Sequence, residues 1–122
     1  MRNIKGEKMN KKICFNYNKK NICIDARVCE GLGMARGLMF RRREKAASLL
    51  FEFSKPTLMK IHSMFVFFNF VAVWLNEKNE VVDLKIVRPW KLSLSSEKPF
   101  SKFLEIPINY KNFVLIESLV GK

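Results

Sequence analysis

The sequence predicts a mainly β fold: a compact single-domain β-sandwich or small barrel of about seven or eight short strands, with one short helix near residues 29–37. Three observations predict it. Apolar residues recur at every second position through several short segments, the spacing of a strand with one buried face. Groups of Asn, Lys, Gly and Pro punctuate those segments as turns. A chain of 122 residues with 48% hydrophobic residues and 11 Phe has enough apolar matter for one sizeable core and too little length for a second domain.

The elements follow in order. Residues 1–10 read as a flexible basic tail, within which Met9 offers a second start site, and residues 11–122 as one β domain. Ile13, Phe15 and Tyr17 share one face. After a four-residue loop, Asn18-Lys19-Lys20-Asn21, the residues Ile22, Ile24, Ala26 and Val28 share another, opposite Cys23, Asp25 and Arg27, which makes a hairpin. Gly31, Gly33 and Gly37 then break the alternation and suggest a short helical turn ending near Gly37, followed by a loop. Residues 48–53 alternate as a strand that Pro56 closes. Residues 58–68 and 71–75 read as two strands separated by Asn69, and Asn76-Glu77-Lys78-Asn79 as a turn. Residues 80–87 alternate with Asp83 and Lys85 on the wet side, and Arg88-Pro89-Trp90 ends that strand. A polar loop at 93–99 leads to two closing strands at 102–106 and 112–118.

Charge is the main functional signal. The chain holds 23 Lys and Arg against 11 Asp and Glu, a net +12, and residues 1–45 alone carry +9 of it. Such an excess attracts phosphate backbones or other anions, or serves as a solubility surface. The densest cluster is Arg36, Arg41, Arg42, Arg43 and Lys45, where several guanidinium groups can converge on one phosphate or carboxylate. Arg88 and Trp90 flank a proline that fixes the local backbone, so an indole and a guanidinium can share one cleft; a Trp capping the core beside a snorkelling Arg is the structural alternative.

Other chemistries find little footing. Cys14, Cys23 and Cys29 are odd in number, with no CxxC pair, and read as reduced, mostly buried thiols of a cytoplasmic protein. His62 is the sole histidine, so no metal site and no cofactor are expected; it is a structural residue by preference and the only candidate general base near neutral pH if the protein is an enzyme. Glu52, Asp83, Glu105 and Glu117 fall on the polar phase of their strands, as solvated charges do. The spacing of Gly31, Gly33 and Gly37 is one residue longer than a dinucleotide fingerprint and lacks its βαβ setting. The basic start does not run into an apolar leader, and the uncharged stretch 61–76 is shorter than the roughly 18 to 20 residues of a spanning helix, so neither secretion nor a membrane anchor is expected.

Several motifs fall in one order: Gly37-Leu38-Met39-Phe40-Arg41, Leu50-Phe51-Glu52-Phe53, the Phe-rich run from Ile61 through Phe68, Arg88-Pro89-Trp90 and Leu104-Glu105-Ile106-Pro107. In that order the chain resembles the archaeal branch of the family catalogued as domain of unknown function 192, over roughly residues 20–108. The resemblance implies a single compact β-sandwich-like domain and no established activity. It suggests a shared pocket from Gly37, Met39 and Arg41 of the loop, His62 of the central strand, and Arg88 and Trp90 of the late turn. Two departures stand out: Asn69-Phe70-Val71 replaces the usual Pro-Ile-Asp, and Ile108-Asn109 replaces a small Ala-Gly pair, so the last turn is built differently.

The resulting expectation is a non-catalytic cytoplasmic module. It binds a small anionic ligand or acidic partner through Arg36, Arg41, Arg88 and Trp90, with Gly37, Met39 and His62 as further candidates. The alternatives are a nucleic-acid accessory protein using the basic tail and Arg41-Arg42-Arg43, and an enzyme of unknown reaction.

Overall fold

A computed structural model describes residues 10–29, 47–60, 66, 68–90, 94–109, 112, 116, 117 and 119. Among them are six strands: β1 Asn10–Tyr17, β2 Lys20–Cys29, β3 Leu49–Thr57, β4 Phe70–Leu75, β5 Val81–Val87 and β6 Phe100–Pro107. All six belong to one sheet in the order β1-β2-β3-β6-β4-β5, with β2 and β3 parallel and every other neighbouring pair antiparallel. The sheet curls until its two edges touch at a single parallel bridge, Asn16 with Glu80. The result is a half-barrel, which corrects both the two-sheet sandwich and the count of seven or eight strands.

Alternation builds the concave face. Ile13 and Phe15 of β1, Ile22, Ile24 and Ala26 of β2, and Leu50, Val71, Val73, Leu75, Leu104 and Ile106 of the other strands form one buried, almost wholly aliphatic cluster. Ile116 and Leu119 join it from a helical segment. Their three-residue spacing places both on one helix face, so the expected closing strand at 112–118 is replaced by helical turns among its described residues. The convex face is buried only over the centre, where Leu49, Phe51, Phe70, Trp74, Phe100 and Phe103 pack beneath Val66 and Phe68. β4 therefore has water on neither side, and its run Phe-Val-Ala-Val-Trp-Leu is buried at every position.

Central placement also explains Glu105. It lies opposite Leu49 and Ala72 on β6, which is flanked by β3 and β4, and is 4% exposed rather than solvated. Glu117 is exposed, as expected. Pro56 does not end β3. It sits where the β3–β6 register shifts between Glu52 and Thr57, a bulge in which a missing N–H breaks no ladder bond.

The first hairpin turns more tightly than expected. Tyr17 pairs with Lys20, leaving a two-residue loop at Asn18 and Lys19 with φ of 53° and 66°. Positive φ at both positions is the type I′ geometry that matches strand twist, and Asn is the non-Gly residue that tolerates it best. The expected short helix begins inside β2 at Cys29, and residues 30–37 lie outside the described residues. Of the expected strand at 58–68, residues 58–60, 66 and 68 are described and none is in a strand. No helix among the described residues is long and apolar enough to cross a membrane.

Candidate functional site

Two of the expected site residues are placed by the structure. Arg88 and Trp90 follow β5 directly; Arg36, Gly37, Met39, Arg41 and His62 lie outside the described residues. Arg88 is exposed, and Trp90 is 46% exposed with φ of 65°. That geometry grows from the local sequence. Pro89 fixes its own φ near −65°, and the following residue takes the left-handed conformation that a type II turn gives to glycine. A bulky residue there costs on the order of 1–3 kcal/mol, and such outliers concentrate at recognition sites. The indole is thus held partly in solvent, with the exposed Arg88 two residues away.

The other tryptophan shows the contrast. Trp74 is fully buried against Phe100 and Phe103, with ring centroids 6.5 and 5.1 Å away, and its Nε1 has no hydrogen-bond partner among the described residues. The Lys85 ammonium lies 5.4 Å from the Trp74 ring centroid and donates to the Ser95 carbonyl at 2.7 Å. Lys85 therefore roofs a core aromatic from the edge strand.

At the other end of β5, roughly 20 Å away at 3.3 Å per residue, lies a feature that sequence reasoning missed. A cleft of about 640 Å³ opens between the β1–β2 hairpin and the β4–β5 turn, lined by Cys14, Asn16, Tyr17, Asn21, Asn79 and Glu80 among others. The β4–β5 wall is built by one side chain. Asn76 Oδ1 accepts from the backbone N–H of Lys78 and of Glu80, both at 2.9 Å, while its Nδ2 donates to Glu80 Oε1 at 2.7 Å. Asn79, with φ of 64°, completes the three-residue loop and accepts from Lys102 Nζ. Only the recurrence of Asn in two turns hinted at this cleft, because its walls are some sixty residues apart in the chain.

The opposite wall carries the largest correction. Cys14 and Cys23 are register partners on the outward phase of β1 and β2 and form a disulfide. Cys14 is half-buried and Cys23 exposed; Cys29 alone is buried and outside a disulfide. The expectation of three reduced, mostly buried thiols fails because spacing along the chain cannot reveal a shared rung. Among the described residues, no group of three or more His, Cys, Asp and Glu could hold a metal ion.

The single curled sheet defines a class of small half-barrel β proteins. Two crystal structures share it: a protein of unknown function from Novosphingobium aromaticivorans, at TM-score 0.70 and 16% identity over 80% of this chain and 73% of that one; and a candidate transcription regulator from Sinorhizobium meliloti, at TM-score 0.73 and 12% identity over 90% and 86%. At those identities the likeness is one of fold. No curated protein matches the sequence. Residues 17–115 match DUF192, described as an uncharacterized ACR, and the chain belongs to that family.

Proposed function

We propose that this protein is a non-catalytic binding module that takes a small anionic ligand or an acidic partner at the corner formed by Arg88, Pro89 and Trp90. The observation that carries the reading is Trp90 itself: a large aromatic held at positive φ, 46% exposed, beside an exposed arginine. An indole face and a guanidinium together suit a planar carboxylate or phosphate ester, the first by stacking and the second by paired N–H donors. The net charge of +12 draws such ligands in. Arg36 and Arg41 extend the same site in this reading, which places the protein in the cytoplasm and in the archaeal branch of its family.

Tryptophan emission tests it. Inorganic phosphate and an oligo-glutamate peptide are titrated into the full chain, its Trp90→Phe variant and its Arg88→Ala variant. One of the two probes is expected to change the emission of the parent, Trp90→Phe to abolish the change, and Arg88→Ala to weaken affinity about ten-fold or more, the size of a lost charge-assisted contact. Binding left intact by both substitutions, with circular dichroism unchanged, overturns the reading.

The charge excess supports a second reading, nucleic-acid binding through the basic tail and Arg41-Arg42-Arg43. A steep fall of oligonucleotide affinity between roughly 50 and 200 mM salt is its signature, and salt-insensitive or absent binding ends it.

A further inference from the structure

We propose that Cys14 and Cys23 form a thiol–disulfide exchange site, opened and resealed by small thiols and disulfides that enter through the adjoining cleft while the fold stays intact. The inference is independent of the Arg88 and Trp90 corner.

Strand phase comes first. On β1 and β2 the alternate residues Ile13, Phe15, Ile22 and Ile24 point into the aliphatic core, so Cys14 and Cys23 point out of it, and neither sulfur belongs to a hydrophobic cluster. Cysteine outside a disulfide behaves as a small hydrophobe and is among the most buried residue types. Cys29 obeys that rule at the end of β2; the other two do not.

Register comes second. The type I′ turn makes Tyr17 and Lys20 a hydrogen-bonded pair, and alternate rungs from there make Cys14 and Cys23 a non-hydrogen-bonded pair, the closer kind. Their Cα atoms are 4.0 Å apart. Breaking or making the bridge therefore needs no strand movement and no exposure of core.

Access and charge come third. Cys14 lines the cleft and Cys23 faces solvent, so an incoming thiolate reaches Cys14 Sγ from the cleft. Asn21 Nδ2 donates to Cys23 Sγ at 3.8 Å, which favours sulfur that carries negative charge and makes Cys23 the leaving thiolate. The neighbouring rung on the same face pairs Lys12 with Asp25, and the amides of Asn16 and Asn21 occupy the other side. A cleft of about 640 Å³ walled by Asn side chains is roomy enough for a peptide-type thiol such as glutathione.

The exchange balances as follows. A small thiolate attacks Cys14 Sγ, forming a mixed disulfide and releasing the Cys23 thiolate. A second small thiolate attacks the small-molecule sulfur of that mixed disulfide, releasing the Cys14 thiolate and a small-molecule disulfide. Two thiols have lost two electrons and two protons, and the protein disulfide has gained them as two thiols; the small-molecule disulfide drives the reverse.

The full chain is equilibrated across a series of reduced and oxidised glutathione ratios, quenched with acid, alkylated with N-ethylmaleimide and mapped by mass spectrometry. Cys14 and Cys23 are expected to become labelled together, rising about ten-fold for each ten-fold rise in the ratio of squared reduced glutathione to oxidised glutathione while the oxidised form dominates. The sheet signal in circular dichroism persists throughout, and Cys29 is labelled only after denaturation. Cys23→Ser traps glutathione on Cys14. A bridge that opens only with denaturant overturns the proposal, as does a pair that stays reduced in oxidised glutathione alone. A Cys29→Ser variant that no longer cycles also overturns it, because the exchange would then run through Cys29.

Discussion

The β1–β2 and β4–β5 hairpins are built from equally plain alternating or apolar sequence, yet they hold their shape by different means. β1–β2 forms one margin of the sheet. It buries one face only, its turn is a two-residue loop, and a disulfide crosses its outer side. β4–β5 has β4 buried throughout, no cross-link, and a three-residue loop organised by the Asn76 side chain. Packing from both sides replaces covalent restraint at β4; on β1 and β2, where half the surface is wet, turn geometry and a bridge take over.

Three substitutions break or sharpen that contrast. The largest effect belongs to the centre. Trp74→Ala leaves a cavity against Phe100 and Phe103, and chemical denaturation should show a loss of about 3–5 kcal/mol. At the margin, replacing Cys14 and Cys23 together by alanine removes a loop constraint of about ten residues. Urea unfolding of the oxidised protein should lose roughly 2–3 kcal/mol, and in dithiothreitol the variant and parent should coincide. The smallest effect is Asn76→Ala, which leaves the amides of Lys78 and Glu80 without their side-chain acceptor. A loss of about 1–2 kcal/mol is expected, together with faster hydrogen exchange at those two amides. If Asn76→Ala proved more costly than the double cysteine variant, turn chemistry rather than packing would hold the β4–β5 hairpin.

Period-two spacing located β1, β2, β3 and β5; on β1 and β2 every second residue meets the core, whereas on β5 the alternation expected to bury Ile86 leaves it 52% exposed. It could not say how many sheets those faces shared. Apolar positions on a curled sheet and on a sandwich look alike along the chain, and only the touching edges at Asn16 and Glu80 distinguish them. The segment at 112–118 failed for a related reason: in a short apolar run, Ile116 and Leu119 satisfy a helix as readily as their neighbours satisfy a strand. Glu105 misled because alternation assumes one wet face, and β6 has none. At the candidate site, Pro89 marked the turn at Arg88 and Trp90, because proline restricts the backbone on its own position and on the residue before it. The cleft and its disulfide stayed hidden, since they depend on which rungs and which turns meet in space.

The strand order has a consequence for synthesis. β6 is the last of the six described strands and lies between β3 and β4, so it joins two blocks, β1-β2-β3 and β4-β5, that otherwise meet at the Asn16–Glu80 bridge. During translation, both blocks leave the ribosome before residues 100–107 do, each with an unpaired inner edge that the missing strand will occupy. Until residues 100–107 have been made, the two blocks lack the strand that lies between them. A pause or truncation ahead of β6 leaves Phe51, Phe70 and Trp74 without the Phe100 and Phe103 rings that pack with them.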